Sequence, residues 1–125
     1  MVTSRILGRC VQIAQRLDRH RGLRCNHISF VVQNRTILGY GQNRPESPVI
    51  GSGYRSRHSE TEAWRRSRRL LTRDPFDVVN LRLGPDGQLM IAAPCHRCQQ
   101  FLAARSCRTV HFTTEGGRWA RLDLG

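Results

Sequence analysis

A chain of 125 residues with 21 basic and nine acidic side chains, net charge +12 at pH 7, has room for one hydrophobic core and none for a second. Every basic residue is arginine, a planar and permanently charged fork suited to phosphates and to stacking on bases. The apolar 38% arrives in periodic segments, which excludes a disordered tail, and no run is long enough to span a bilayer.

These features lead to an expectation of a single cytoplasmic domain over residues 1–125, without a membrane partner. The sign of the charge calls for a polyanionic partner. Nucleic acid stands ahead of a membrane surface, because no segment joins a basic to a strongly apolar helical face. Five cysteines, two of them in Cys95-His96-Arg97-Cys98, point to a metal or redox site more than to a disulfide framework.

In chain order, residues 1–19 place Ile6, Cys10, Ile13, Ala14 and Leu17 on one face of a first helix. The segments 27–33 and 36–41 are β-branched and aromatic around the turn-prone Asn34-Arg35, and read as a hairpin. Residues 42–56, rich in Pro and Gly, form a long loop of the kind that is often functional. A second helix covers 59–73, with Ser59 and Glu62 as a capping box and Glu60, Ala63, Trp64, Ser67, Leu70 and Leu71 on its core face. The segment 76–83 is a third strand, 84–87 a turn and 88–93 an extended return. A third helix runs from Pro94, as its first helical residue, to about Ser106. Residues 108–114 and 118–124 are the last two strands, joined by a tight Glu115-Gly116-Gly117 turn.

Two local motifs carry the chemistry, His58-Ser59-Glu60 and Pro94-Cys95-His96-Arg97-Cys98. Alone, each is common: the Cys-x-x-Cys could be a redox pair or half of a structural zinc site. In this order, each opening a helix after extended structure, they match the zinc nucleobase deaminase signature, His-x-Glu followed by Pro-Cys-x-x-Cys. Cys95 and Cys98 share a helix face and can hold one ion as thiolates, and His58 supplies a nitrogen. Three protein ligands leave the fourth tetrahedral position for water, as in catalytic zinc sites. Two thiolates offset the charge of Zn2+, so a proton acceptor is needed beside the water, and Glu60 fills that place as general base and then general acid.

On these residues the chain resembles the cytidine deaminase-like superfamily, over nearly its whole length. The resemblance implies a three-layer α/β/α fold around a five-stranded mixed sheet, with His58, Cys95 and Cys98 as zinc ligands and Glu60 as the proton shuttle. "NRP" at Asn43–Pro45 is similar to a segment of bacterial tRNA adenosine deaminases, which implies that Asn43 contacts the substrate; the other reading is a turn residue before Pro45. In three respects the chain departs from relatives: a longer interval between Glu60 and Pro94, Ala92 and Ala93 where APOBEC-type enzymes carry an aromatic, and a short C-terminus. That C-terminus reads as a hairpin with an antiparallel last strand, as in free-cytidine deaminases and several bacterial toxin deaminases.

Further candidates surround this core. Ser59, between the ligand and the shuttle, is a substrate-binding candidate. His96 either touches a substrate phosphate or is merely exposed. Tyr54 either stacks on a base or anchors its loop. Arg44, Arg55, Arg57, Arg65 and Arg66 either follow a phosphate backbone or form a solvated face. Cys10, Cys25 and Cys107 read as small core residues, Trp64 and Phe101 as core, and Trp119 stays open. The reading is a zinc-dependent deaminase converting cytosine to uracil in single-stranded DNA or RNA. A free cytidine or dCMP deaminase, a tRNA adenosine deaminase and a non-catalytic zinc-bearing nucleic-acid module are the alternatives.

Overall fold

The structure, a computed structural model, describes residues 2–17, 26–45 and 56–125, without the side chains of 44, 45, 56 and 57. Helix α1 (Ser4–Arg16) starts where the Thr3 hydroxyl accepts the Ile6 amide at 3.2 Å, satisfying one of the four amides a helix N-terminus leaves free. Strands β1 (Asn26–Gln33) and β2 (Thr36–Gln42) form an antiparallel hairpin around a two-residue turn. Two short strands, β3 (Arg44–Pro45) and β4 (Ser56–Arg57), pair antiparallel and close the long loop, with positions 44 and 57 opposite each other. Helix α2 (Ser59–Ser67), strands β5 (Phe76–Leu83) and β6 (Leu89–Met90), helix α3 (His96–Ala103), and strands β7 (Cys107–Thr113) and β8 (Trp119–Asp123) follow.

The main sheet has the order β2-β1-β5-β7-β8, with β6 also paired to β5. Only β5 and β7 run parallel, and the crossover between them contains α3. Strand β8 returns antiparallel on β7, as the sequence leads one to expect. Alternation along the strands sends side chains to opposite faces. Ile28, Phe30 and Val32 of β1, with Val79, Leu81 and Leu83 of β5, meet Ile6, Cys10 and Ala14 of α1. Val31, Val78 and Val110 meet Ala63 of α2 and Leu102 of α3 on the other side. The result is the three-layer α/β/α arrangement, its mixed sheet one short strand larger than the five expected. Among the described residues no helix is long and apolar enough to cross a membrane.

Glycine spacing in "GYG" sets the height of α2 above the sheet. A β-carbon at Gly41 would lie 2.8 Å from the Glu62 carbonyl carbon and nearer still to the Ala63 nitrogen, and one at Gly39 would lie 2.6 Å from Ser67 Oγ. Bare backbone at both positions lets the helix rest directly on β2, which fixes the helix end that carries His58 and Glu60.

The helices depart from their expected bounds. Helix α2 stops at Ser67, six residues early, so the helical register no longer holds beyond it and Leu70 is 61% exposed instead of core. The expected capping box does not form: His58 is the N-cap and Ser59 is already helical, its hydroxyl turned to other partners. Pro94 precedes the cap of α3 instead of opening the helix, and Cys95 takes the capping role. Cys10 and Cys107 are core residues, and burial pushes both thiols up to about 12. Trp64 and Phe101 are half-buried and pack edge-to-face at 5.6 Å, while Trp119 packs against the α1-side core.

Candidate metal centre and its carboxylate

Three donor atoms meet where α2 and α3 begin. His58 is the N-cap of α2, Cys95 the N-cap of α3, and Cys98 lies in the first turn of α3. His58 Nδ1 is 3.3 Å from Cys98 Sγ and 3.8 Å from Cys95 Sγ, and all three donors lie within 4.8 Å of one another. Two ligands on one tetrahedral zinc, with bonds of about 2.3 Å to sulfur and 2.0 Å to nitrogen, stand roughly 3.5 Å apart, and the observed separations bracket that value. Cys95 Sγ also accepts the Cys98 amide at 3.4 Å, a contact that orients the sulfur.

Burial pushes the Cys98 thiol up, and the negative charge of Glu60 and the neighbouring Cys95 push it further. A cation bound between the donors would favour the thiolate there. Both helix N-termini add positive potential in the same direction. Cys98 is buried, whereas His58 and Cys95 are exposed, so the cluster is closed on the protein side and open to solvent on the other. One imidazole and two thiols form a donor set suited to zinc.

Glu60 is 5% exposed, a buried carboxylate beside these donors. Its Oε1 is 3.1 Å from Ser59 Oγ, which is 2.7 Å from Ser29 Oγ, which donates to Asn80 Oδ1 at 2.7 Å. Asn80 Nδ2 in turn donates to the Ala92 carbonyl at 3.4 Å. This chain crosses from α2 through β1 to β5 and on to the segment before Pro94, so it ties the carboxylate to the backbone that leads into the cysteine helix. Its middle step follows from strand register, which sets Ser29 opposite Asn80.

His58, Ser59, Glu60, Asn43 and His27 line one cavity of about 120 Å³. Asn43 is held by two contacts with a single residue: its Oδ1 accepts the His27 amide at 2.9 Å, and its own amide donates to the His27 carbonyl at 3.1 Å. Burial lowers the pKa of the His27 imidazole, with the Arg82 and His58 charges acting in the same direction against Glu60. His27 is a site residue that the sequence does not announce. Its only sequence signal is a polar ring near the start of a mostly apolar strand, and strand pairing is what brings it to Asn43 and Glu60.

The remaining candidates are placed elsewhere or engaged otherwise. Ser59 reaches the cavity, but its hydroxyl is committed to Ser29 and Glu60. His96 is exposed, its Nε2 3.1 Å from Gln100 Nε2 along the same helix. Arg65 and Arg66 stand 3.9 and 3.5 Å from the buried Glu62 carboxylate, with 62% and 48% of their side chains exposed. Tyr54 and Arg55 lie outside the described residues, as do Cys25 and the side chains of Arg44 and Arg57.

Solved structures share this fold. A cytidine deaminase from Burkholderia pseudomallei aligns with TM-score 0.65 and 18% identity over 99% of this chain and 94% of its own. A dCMP deaminase from the cyanophage S-TIM5, in complex with dCMP and dUMP, aligns with TM-score 0.60 and 14% identity over 91% of this chain and 85% of its own. No protein-family model matches the sequence, and no curated protein matches it. The chain therefore has the fold of the cytidine deaminases, with a His-Cys-Cys cluster fit for zinc at the convergence of two helix N-termini.

Proposed function

We propose that the chain is a zinc-dependent deaminase that hydrolyses cytosine to uracil and releases ammonia, acting on cytosine in single-stranded DNA or RNA. The observation that carries this reading is the buried Glu60 carboxylate in one small cavity with His58, beside two thiols that complete a zinc donor set. His58, Cys95 and Cys98 would hold the zinc ion, which when bound would supply Lewis acidity toward water at neutral pH.

The chain's own residues supply the proton traffic. Glu60 takes a proton from the attacking water and gives it to the ring nitrogen, then takes the second proton from the hydroxyl formed at C4 and gives it to the departing amine. Ser59 Oγ donates to Glu60 Oε1 and so holds the carboxylate in place for that cycle. Asn43, its carboxamide oxygen occupied by the His27 amide, presents N–H donors to a base. A cavity of about 120 Å³ is well below the several hundred that enclose a whole drug-sized ligand. It suits a base that enters while its sugar and phosphates stay outside, where a net charge of +12 favours a polymer.

A second reading, a free dCMP or cytidine deaminase, is favoured by the antiparallel β8 and by the named activities of the structural neighbours. Mass-spectrometric assay of uracil formation from cytosine-containing single strands, cytidine and dCMP separates the two. Turnover of the strands, inhibited by salt, is the expected result. Turnover of the free compounds alone overturns the polymer reading, and no turnover by zinc-loaded protein overturns both.

A further inference from the structure

A groove of about 890 Å³ lies between α1 and the tip of the β1–β2 hairpin. It sits on the α1 face of the sheet, whereas the zinc donors belong to the helices of the other face. Arg35, at the hairpin tip, is eight residues beyond His27, roughly 26 Å along an extended strand. Arg5, Arg9 and Arg35 line the groove together with Thr3, Gln12 and Thr36.

Three local choices here run against intrinsic preference. Arg5 is the second residue of α1, whose first turn holds no acidic residue, so a positive charge sits at the positive end of the helix dipole. Arg9, four residues on, is a like-charged neighbour on the same face. Asn34 and Arg35 both have positive φ, 52° and 62°, in the two-residue turn that aims Arg35 toward α1, and arginine is a poor choice where glycine is preferred. Among the described residues no carboxylate pairs with any of the three arginines, and none of those that line the groove is acidic. Local rules broken together without compensation mark a functional surface, and the missing compensation is negative charge.

We infer that this groove binds the phosphate backbone of single-stranded nucleic acid as an anchor remote from the active site. Hydroxyl, amide and guanidinium groups on its wall match phosphodiester oxygens. A membrane surface is disfavoured because the apolar wall is limited to Ile6 and Ile37, with no aromatic. The inference rests on the polymer reading of the substrate, since a free nucleotide gains nothing from an arginine cluster so far from the cavity.

The test uses Glu60→Gln protein and a fluorescein-labelled oligodeoxythymidylate of about 20 nucleotides, which contains no cytosine. Anisotropy titrations over a range of salt give the slope of log Kd against log salt. Replacing Arg5, Arg9 and Arg35 together by Gln is expected to reduce that slope by about 2, at roughly 0.7 for each phosphate contact on a single strand. An unchanged slope in a variant with wild-type circular dichroism overturns the inference. Should the triple variant not fold, phenylglyoxal labelling of the wild-type protein decides: oligonucleotide is expected to protect the three arginines, and equal labelling with and without it overturns the proposal. Inorganic phosphate at matched phosphate concentration is the second probe, and protection as strong as by the oligonucleotide assigns the groove to free phosphate and also overturns it. Predicted slopes without deamination of any substrate would remove the proposed function and leave the anchor standing.

Discussion

The two faces of the central sheet are built from the same strands, yet they bury different things. Toward α1, β1 and β5 present Ile28, Phe30, Val32, Val79, Leu81 and Leu83, an apolar surface under Ile6, Cys10 and Ala14. Toward α2 and α3 the same strands present Val31 and Val78, but also Ser29 and Asn80, fully or nearly buried and hydrogen-bonded. Buried polar groups cost stability unless every one is paired, so the second face gives up packing energy to hold a carboxylate in position. The first face has the opposite design: an apolar interior under a charged outer groove. A change in the apolar interior beneath α1 should therefore act on stability alone, and a change on the α2 side on both stability and turnover.

The largest stability effect should come from the apolar face. Phe30 is fully buried and 6.0 Å from the Tyr40 ring, so Phe30→Ala should cost about 3–5 kcal/mol, read by urea denaturation, with kcat per folded molecule unchanged. Gly41→Ala attacks the contact between β2 and α2; relief of the clash should cost about 1–3 kcal/mol and lower kcat as well, because α2 carries both His58 and Glu60. Ser29→Ala removes the middle of the hydrogen-bonded chain and should cost about 1–3 kcal/mol, with kcat falling more than KM changes. Loss of stability with full kcat in that variant would reduce the chain to packing and erase the contrast between the faces.

The smallest effect concerns acid. Burial pushes the Asp77 carboxyl up, but hydrogen bonds from Arg108 and Thr109 and the Arg108 charge outweigh it, and the net shift is downward from 3.8. The contacts are short, 2.9 and 3.3 Å from Arg108 and 2.5 Å from Thr109. A folded-state pKa below the unfolded one contributes stability above about 3.8, and that contribution is lost as pH falls through this value toward the lower folded one. Asp77→Asn should flatten stability against pH in that acid window and leave activity at neutral pH intact, as thermal melts at stepped pH would show.

What the sequence made legible was local. His-x-Glu and Cys-x-x-Cys place their own residues by helix geometry, each where a strand or loop turns into a helix; that His58 joins the two cysteines, 37 and 40 positions on, was legible only through the resemblance to the deaminase signature. The antiparallel last strand followed from a short hairpin, also a local feature. What stayed hidden depends on register between distant segments. Ser29 meets Asn80 across 51 positions and Ser59 across 30, and His27 reaches Asn43 across 16; no spacing rule within one segment shows these. The end of α2 was misjudged because the apolar period continues through Leu70 and Leu71 although the helix stops at Ser67. The role of Ser59 was misjudged because a Ser-x-x-Glu pattern fits a cap and also fits a serine turned inward.

The central claim is that a buried carboxylate beside a His-Cys-Cys zinc site moves the protons of cytosine hydrolysis. Its most direct test is the rate of uracil formation by Glu60→Gln and wild-type protein on one substrate, at equal bound zinc. A fall of about 10²–10⁴ is expected, with zinc retained. Equal rates at equal zinc would contradict it.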